Sequence, residues 1–331
     1  MANPWRATQF AKADHNGIRA AAAILRAGGL VGFPTETVYG LGADAASSQA
    51  VASIYEAKQR PQFNPLIAHV SSFEDAREQG FFNEIATTLA QTFWPGPLTL
   101  VVPVSTHCTV CLLARAGLDS IALRVPAHPI ALALLQACNG PLAAPSANPS
   151  GGVSPTAAQH VADGLDGRID MILDGGPCTI GVESTIVRCT DEQPVLLRPG
   201  GISVSDIERV LKRPVLRTAA MAVADAQQPL APGMLASHYA PNAKVRLRAS
   251  NFFENEAVLD FAGQLRAFAA PGTIYRDLSP AGDLREAAAN LFSFLRELDG
   301  AGAGQIAVAA IPQAGLGEAI NDRLARAAAD R

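Results

Sequence analysis

The sequence predicts an α/β protein with two domains of unequal size. The chain has 331 residues, a length that favours two domains at about 150 residues each. Strand-like and helix-like segments alternate through residues 1–214, and a second, shorter alternation occupies residues 242–331. Between them, residues 215–241 are rich in alanine, glutamine, proline and glycine and show little periodicity. We therefore expect a large domain, a linker and a small domain.

The elements of the large domain follow from hydrophobic periodicity and from residues that start or stop helices. Gly28-Gly29 closes the first helix, and Pro95-Gly96-Pro97 stops the helix that ends at Trp94. Ser154 and Pro155 are typical of an N-cap and a first helical turn. The predicted helices are 17–27, 47–58, 83–94, 130–137, 155–162 and 203–211, and the predicted strands are 30–33, 65–70, 98–104, 120–125, 142–144, 171–173, 184–188 and 195–197.

The small domain shows the same alternation over fewer elements. Its predicted strands are 244–247, 257–261 and 305–311, and its predicted helices are 279–298 and 317–329. The order is Rossmann-like, but no glycine fingerprint follows a strand, so we assign this domain no ligand. A linker as long as residues 215–241 is usually functional rather than merely connective.

Composition and charge exclude several classes of protein. Apolar residues make up 49% of the chain, which excludes intrinsic disorder. Lysine and arginine number 26 against 30 for aspartate and glutamate, and a net charge of -4 argues against a protein that coats nucleic acid. No stretch is apolar enough for a membrane span or a signal peptide. Five cysteines, an odd number, indicate reduced thiols and a cytoplasmic protein.

Two common ligand signatures are present only in part. Cys108 and Cys111 form a lone C-x-x-C, and a zinc site would need a second pair of ligands at similar spacing. We therefore expect structural thiols and no metal held by protein side chains. Residues 40–45 match G-x-G-x-x-A, but the polar segment 34–37 separates them from the preceding strand. A dinucleotide site is accordingly not expected.

Polar residues follow the ends of several predicted strands. Threonines, a glutamate and a tyrosine alternate with small residues in segment 34–42. This segment is either a strand with one solvated face or a loop at the carboxyl end of a strand, where open α/β sheets bind ligands. Lys58 and Arg60 end a helix, where they either compensate the helix dipole or bind phosphates. His69, in an apolar strand, would by default be a core histidine with satisfied hydrogen bonds.

Arg124 needs an anionic partner because its strand is apolar. Ser120 lies four residues earlier on the same face of that strand. The anion could be a protein carboxylate or a substrate carboxylate. Segments 144–151, 182–186 and 197–201 repeat the pattern of hydroxyls, cations and glycines at strand ends. Together these groups suit the binding of an anionic nucleotide and a small polar substrate, and they do not indicate covalent catalysis.

Four of these segments, in this order, resemble the YrdC-domain family. They are Pro34-Thr35-Glu36-Thr37-Val38-Tyr39-Gly40-Leu41, Lys58-x-Arg60-Pro61-x-x-Asn64-Pro65-Leu66, Ser146-Ala147-Asn148-x-Ser150-Gly151 and Arg198-Pro199-Gly200. Pro232-Gly233-Met234 and His238-Tyr239-Ala240-Pro241 are similar to the linker of the family's long, two-domain form. The resemblance implies a YrdC-like twisted mixed sheet flanked by helices, followed by a smaller Rossmann-like α/β domain.

The resemblance also implies a reaction. Members of the long form combine L-threonine, bicarbonate or carbon dioxide, and ATP into threonylcarbamoyl-AMP and pyrophosphate. The product is used downstream by a tRNA-modifying threonylcarbamoyl transferase complex that makes threonylcarbamoyladenosine (t6A). We expect Mg²⁺ to accompany ATP, no membrane association, and at most a weak contact with RNA.

Site residues are carried over from the motifs one position at a time. The implied L-threonine contacts are Thr37, His69, Arg124, Ala144 and Ser184. The implied ATP contacts are Arg60, Asn64, Ser120, Ser146, Asn148, Ser154, Arg198 and His238. Lys58 and Arg60 are the expected catalytic cations, and the linker that carries His238 is expected to act as a lid. Residues 234–237 are less basic than in many relatives, which weakens the expected phosphate contact there.

Two other functions share the expected fold. One is a non-catalytic module that binds double-stranded RNA or assists ribosome assembly, against which the acidic net charge argues. The other is a carbamoyl transferase that uses carbamoyl phosphate, but such relatives usually carry additional domains that this sequence lacks.

Overall fold

Two sheets of different size organise the computed structural model, which describes residues 7–61, 64–217 and 238–329. Most of the linker that is expected to act as a lid, residues 218–237, and residues Gln62 and Phe63 lie outside the described residues. The strands are Gln9–Lys12 (β1), Val31–Phe33 (β2), Gly40–Asp44 (β3), Ile67–His69 (β4), Leu98–Pro103 (β5), Ser120–Arg124 (β6), Leu142–Ala143 (β7), Met171–Asp174 (β8), Thr185–Arg188 (β9), Val195–Arg198 (β10), Leu216–Arg217 (β11), Lys244–Arg246 (β12), Glu256–Asp260 (β13), Tyr275–Asp277 (β14) and Gln305–Val308 (β15). The helices are His15–Arg26 (α1), Ser48–Lys58 (α2), Phe73–Gln79 (α3), Glu84–Phe93 (α4), Pro129–Cys138 (α5), Ala158–Leu165 (α6), Val204–Leu211 (α7), Leu284–Gly300 (α8) and Leu316–Ala327 (α9).

Among the described residues, the large sheet has eleven strands in the order β1-β8-β2-β3-β7-β4-β6-β5-β9-β10-β11. It is mixed: β4 pairs parallel with β6, whereas β3 pairs antiparallel with both β2 and β7. The small sheet has four strands in the order β12-β15-β13-β14, and all of its pairs are parallel. This architecture confirms the predicted fold class.

Helix capping explains where most helices begin. Asp14 accepts a hydrogen bond from the Gly17 amide at 2.9 Å, and Asn83 caps α4 through the Ala86 amide in the same way. At the end of α2, Gln59 adopts a left-handed conformation with φ 53°. The chain therefore turns sharply just before Arg60, which directs that residue back toward the sheet.

Local sequence signals were wrong at two helix starts. Helix α6 begins at Ala158 rather than Pro155, and the Ser154 hydroxyl donates to Glu183 instead of capping it. Helix α8 begins after its N-cap Asp283, five residues later than the predicted start at Ser279. The Ser154 hydroxyl is used by a contact with a distant residue, whereas the Ser279 hydroxyl accepts from the amide of Asp283, the residue that caps α8.

Several elements were not predicted. Strand β3 is one, because its Gly-Leu-Gly sequence gives no strand signal by itself and the pairing with β2 and β7 stabilises it. Strands β1 and β14 and helix α3 were missed as well. All five cysteines lie in the described residues and none forms a disulfide. No helix in the described part of the chain has the length and apolar character to cross a membrane.

The two sheets are joined through an apolar interface. Val38, Val153 and Val182 of the large sheet's loops are buried in the same cluster as Phe292 of α8 and the rest of the small domain's core. Gly181, at φ +78°, approaches α8 so closely that a Cβ atom there would lie 2.3 Å from the Ala288 carbonyl oxygen. Each of the three valines adjoins an expected site residue or Glu183, so this interface supports the loops of the site.

We predict that Gly181→Ala destabilises the protein, since its methyl group would overlap the α8 backbone in a left-handed conformation. The free energy of unfolding should fall by about 2–4 kcal/mol. Gly302→Ala is the matched control, because Gly302 has φ +81° but no atom within 4 Å of a Cβ. Denaturant unfolding compares the two variants, and equal losses would contradict a close-packed interface at Gly181.

Candidate active site

One cavity lies where the predicted site segments meet. Nine of the residues assigned from the sequence line it: Thr37, Arg60, His69, Arg124, Ala144, Ser146, Ser184, Arg198 and His238. All five of the expected threonine contacts are among them. The structure also adds residues that were not assigned, of which Thr35, Glu183 and Tyr239 carry polar groups.

Strand register brings the cavity residues together. His69 and Arg124 end the parallel strands β4 and β6 and are register partners. Ser184 immediately precedes β9, and Arg198 ends β10, which pairs antiparallel with β9. Gly40 forms an isolated bridge with Ser146, which closes the cavity from the side of β3. Side chains far apart in the sequence therefore converge at one edge of the sheet.

Arg124 is held by a protein carboxylate. Its Nη2 lies 2.7 Å from Glu36 Oε1, and both side chains are buried. The Glu36 Oε2 atom has no hydrogen-bond partner among the described residues. Glu36 was not assigned a role from the sequence, although it lies within the first polar segment. The ion pair provides Arg124 with an anionic partner in an apolar strand and orients its guanidinium at the cavity.

His69 is a buried, neutral base. Burial, reinforced by the nearby charge of Arg124, lowers its pKa to about 3. Its Nδ1 lies 3.3 Å from the Ile67 carbonyl oxygen, which can only accept, so the proton belongs on Nδ1. The Nε2 atom is then a hydrogen-bond acceptor. Phe33 packs edge-on against the ring at 6.5 Å between centroids and fixes its orientation.

The hydroxyls of Thr37 and Ser184 are both engaged with neighbouring side chains. The Thr37 hydroxyl lies 2.9 Å from that of Thr35, and the Ser184 hydroxyl lies 2.7 Å from that of Thr99. Arg198 donates from Nη2 to the Ser184 carbonyl oxygen at 2.9 Å and to its hydroxyl at 3.2 Å. Ser184 is thereby held between Thr99 of β5 and Arg198 of β10.

Cations and unpaired polar atoms are concentrated at the second side of the cavity. Burial lowers the pKa of Arg60 to about 10, so it remains a cation at neutral pH. Its Nε atom and the Nδ1 atom of His238 have no hydrogen-bond partner among the described residues. Burial also lowers the pKa of Arg198 and brings that of His238 to about 3. This side is suited to an anion that the arginines can bind.

Residues 238–240 cross from one domain to the other at this point. The His238 amide donates to the Arg326 carbonyl oxygen of α9 at 3.3 Å, and the Ala240 amide donates to that of Gly151 at 2.9 Å. The His238 and Tyr239 rings lie 4.1 Å apart, and Tyr239 stacks on Phe292 of α8 at 5.6 Å. The end of the expected lid is therefore anchored to both domains.

The structure places Lys58 behind the cavity. Its ammonium donates to the carbonyl oxygens of Ser146, at 2.6 Å, and of Asn148. Burial, together with the charge of Arg60, lowers the pKa of Lys58 well below its ordinary value. Lys58 thus shapes the loop that carries Ser146, and it does not reach the cavity where a catalytic cation was expected.

Four further assigned residues do not line the cavity, namely Asn64, Ser120, Asn148 and Ser154. Asn64 and Asn148 are buried, and each has a side-chain carbonyl oxygen without a hydrogen-bond partner in the described chain. Ser120 begins β6 opposite Pro103, four residues before Arg124, which is about 13 Å at 3.3 Å per residue. The buried Ser154 contacts the cavity indirectly, through Glu183. Ala144 does line it, but its amide already donates to Ile67.

Carboxylates are too few near the cavity for a metal held by protein alone. In the parts of the chain that are described, no group of three or more histidine, cysteine, aspartate or glutamate side chains could hold a metal ion. Glu183 uses both carboxylate oxygens, for Ser154 and Arg323, and Glu36 has one oxygen without a partner. Mg²⁺ commonly binds through one carboxylate, substrate phosphates and water. The donors present fit that mode.

Comparison with known proteins gives matches along the whole chain. Residues 23–200 match the Sua5–YciO–YrdC family model, whose description is telomere recombination. Residues 202–329 match the model of the threonylcarbamoyl-AMP synthase C-terminal domain. The Pyrococcus abyssi threonylcarbamoyl-AMP synthase is 44% identical over 328 residues, which covers 95% of this chain and 94% of the relative. The Bacillus subtilis protein of the same name is 41% identical, covering 95% and 93%.

A solved structure shows the same two-domain architecture. The crystal structure of P. abyssi Sua5 complexed with L-threonine superposes with a TM-score of 0.85 at 39% sequence identity. The match covers 97% of each chain. The similarity therefore includes both domains.

We predict that stability falls as the pH is lowered from 6.5 toward 5, partly because His69 must remain neutral in the folded protein. The unfolded histidine binds a proton near pH 6.5, whereas the folded pKa is about 3. At pH 5 this difference costs about 2 kcal/mol of unfolding free energy, and His69→Gln should remove that loss. Glu183 does not contribute in this range, because its pKa of about 2 makes its effect appear only below pH 4.5.

Denaturant unfolding at pH 7.5 and pH 5 measures the effect, with the exposed His107→Gln as control. An unchanged pH dependence in the His69 variant would show that this histidine is not held neutral.

Proposed function

This chain belongs to the Sua5–YciO–YrdC family in its two-domain threonylcarbamoyl-AMP synthase form, and we propose that the cavity described above is its active site. It is an enzyme that makes threonylcarbamoyl-AMP, a precursor of t6A in tRNA, from L-threonine and ATP. The single observation that supports the site is the convergence of Arg124, Ser184 and Arg198 on one cavity. Nothing in the fold or the comparisons favours the alternative of a non-catalytic RNA-binding module.

The side of the cavity that holds Arg124 fits L-threonine. A guanidinium aimed by Glu36 is suited to the amino-acid carboxylate. The neutral His69, with its Nε2 acceptor, can accept a hydrogen bond from the threonine hydroxyl. The hydroxyls of Thr37 and Ser184 line the same side. A substrate without the hydroxyl would leave the buried His69 acceptor unpaired, which explains a preference for threonine.

The side of the cavity that holds Arg60 and Arg198 fits ATP. Both arginines stay charged while buried, so their attraction for phosphate is weakly screened. The unpaired Nε of Arg60 offers a further donor. Asn64 and Asn148 do not line the cavity, so their expected contacts with ATP remain predictions. We propose that Mg²⁺ enters with ATP, bound mainly by phosphate oxygens and water, and neutralises charge on the triphosphate.

We propose bicarbonate or carbon dioxide as the third substrate. The threonine nitrogen forms a bond to the carbon of CO₂ and loses a proton, which gives a carbamate. A carbamate oxygen then bonds to the α-phosphorus of ATP as the bond to the β-phosphate oxygen breaks, and pyrophosphate leaves. Because the amino acid and the nucleotide are both anionic, placing each on its own arginine is the main contribution of these residues.

The mixed anhydride formed in this step is sensitive to water. Residues 238–240 bury the cavity from the side of the small domain, and His238 itself is only 6% exposed. This supports a lid role for the segment that carries His238. Transfer of the product to a tRNA-modifying transferase complex, a weak RNA contact and a cytoplasmic location remain predictions.

The reaction predicts that pyrophosphate release from ATP requires both L-threonine and bicarbonate. Purified protein is mixed with ATP and Mg²⁺, and each of the other two substrates is omitted in turn. Either omission should reduce the rate to background. Replacement of threonine by valine, which keeps the shape but lacks the hydroxyl, should also reduce it. Release that does not depend on threonine would contradict the proposed function.

We also predict that Arg124→Ala abolishes threonine-dependent ATP turnover, because it weakens threonine binding, and that it spares ATP binding. Loss of a buried charge-assisted contact should weaken threonine affinity at least about 30-fold. Because the variant leaves Glu36 buried without its partner, the double variant Arg124→Ala, Glu36→Gln is measured beside it. Arg77→Ala, on the exposed face of α3, is the control. Calorimetric titrations measure the affinities for threonine and for ATP. Unchanged threonine affinity in the double variant would exclude Arg124 as the residue that binds threonine.

A further inference from the structure

Arg323 of the small domain reaches the active site of the large domain. It lies on α9, is fully buried, and is the largest side chain that the described core encloses. Its Nε donates to Glu183 Oε2 at 2.7 Å, and its Nη2 donates to the Pro199 carbonyl oxygen at 3.0 Å. The guanidinium also lies over the Tyr239 ring, 5.1 Å from its centroid. One side chain thus contacts three segments that border the cavity.

Glu183 connects Arg323 to the loops on the nucleotide side of the cavity. Its Oε1 accepts a hydrogen bond from the Ser154 hydroxyl at 2.5 Å, and its backbone oxygen accepts one from the Gly201 amide at 3.1 Å. A Cβ at Gly200 would lie 2.3 Å from the same backbone oxygen, so these two loops are in direct contact. Ser184 and Arg198, which line the cavity, are the neighbours of Glu183 and Pro199. Their positions therefore depend on the Arg323 contacts.

Glu183 also presents an electrostatic problem. It lines the cavity that we assign to ATP, and a carboxylate there repels a triphosphate. Burial acts to raise its pKa, but Arg323, Arg198 and the Ser154 hydroxyl together lower it to about 2, so it is an anion. Arg198 lies on the cavity and is needed for phosphate. Arg323 does not line the cavity, so it can balance the charge of the Glu183 carboxylate without contacting the substrate.

Stability alone does not account for this ion pair. A buried pair generally stabilises a fold no better than apolar side chains of similar volume. The interface between the domains already has an apolar core around Val182 and Phe292. The ion pair instead holds Glu183 against the Ser154 hydroxyl and balances the negative charge of Glu183 beside an anionic ligand.

We propose that Arg323 is a positioning residue for ATP, which compensates Glu183 and fixes the loops of Ser184 and Arg198. The inference rests on the proposed function for the identity of the ligand. It assigns the small domain an indirect part in nucleotide binding, through Glu183. Glu183 connects the small domain to the nucleotide side of the cavity, because one of its carboxylate oxygens binds Arg323 and the other orients Ser154.

The test separates compensation of charge from packing. Arg323→Met removes the cation paired with Glu183, and Arg323→Met with Glu183→Gln removes both charges of that pair at similar volume. Asp322, which also contacts Arg323, keeps its ion pair with Arg326 in both variants. Glu318→Gln is the matched control, since Glu318 is also on α9 and forms an ion pair with Arg217 of the large sheet, away from the cavity. Dissociation constants for ATP and for L-threonine are measured by calorimetry on the full chain, together with Tm.

We expect Arg323→Met to weaken ATP binding about tenfold or more, with threonine affinity within about threefold of the unaltered protein. The double variant should recover ATP affinity to within about threefold, and Glu318→Gln should leave both constants unchanged. If Arg323 merely packed the interface, removal of the Glu183 charge would not be expected to restore ATP affinity.

Three results would overturn the proposal: equal losses for both ligands in Arg323→Met, unchanged ATP affinity in that variant, or a double variant as weak as the single one. If Arg323→Met does not fold, the double variant is used alone. A folded double variant with near-normal ATP affinity would support charge compensation of Glu183 by Arg323. A double variant that is unfolded or binds ATP weakly would contradict it. The pyrophosphate assay on the unaltered protein tests the proposed function separately. Its failure would leave the effect on ATP binding measurable.

Discussion

Keeping buried arginines charged around one small cavity is the constraint on which the rest of the site depends. A cation that loses water needs an anion or several carbonyl oxygens as partners. Arg124 obtains Glu36, and Arg198 and Arg60 obtain backbone carbonyl oxygens of Ser184 and Pro65. Arg323 compensates the carboxylate of Glu183. The loops of the site place these carboxylate and carbonyl oxygens within hydrogen-bond distance of the arginines.

Much of the fold and part of the site could be predicted because their signals are local. Hydrophobic periodicity located most helices and strands, although the strand order of the large sheet, with its many crossovers, has no local signal. The polar residues of the cavity follow strand ends, and strand ends meet at one edge of a sheet. Arg124, Ser184 and Arg198 follow this pattern and line one cavity in the structure, whereas their separate roles were expected only from the family resemblance.

The remainder depends on contacts between distant residues. Glu36 and Arg124 are 88 positions apart, and Glu183 and Arg323 are 140 apart, so no spacing rule links them. Ser154 has the sequence of a helix cap, yet its hydroxyl is used by Glu183. Lys58 matched a phosphate-binding motif, but it is buried against two backbone carbonyl oxygens. A sequence motif identifies a residue as part of a site without showing which of its neighbours it contacts.

The separation between Glu183 and Arg323 also has a consequence for synthesis of the protein. At about 5–20 residues per second, a ribosome adds the 140 intervening residues in on the order of ten seconds. During that interval the nascent large sheet can form, while the apolar faces of Val38, Val153 and Val182 await α8. The apolar surface that supports the loops of the active site is therefore covered only after the small domain has been made.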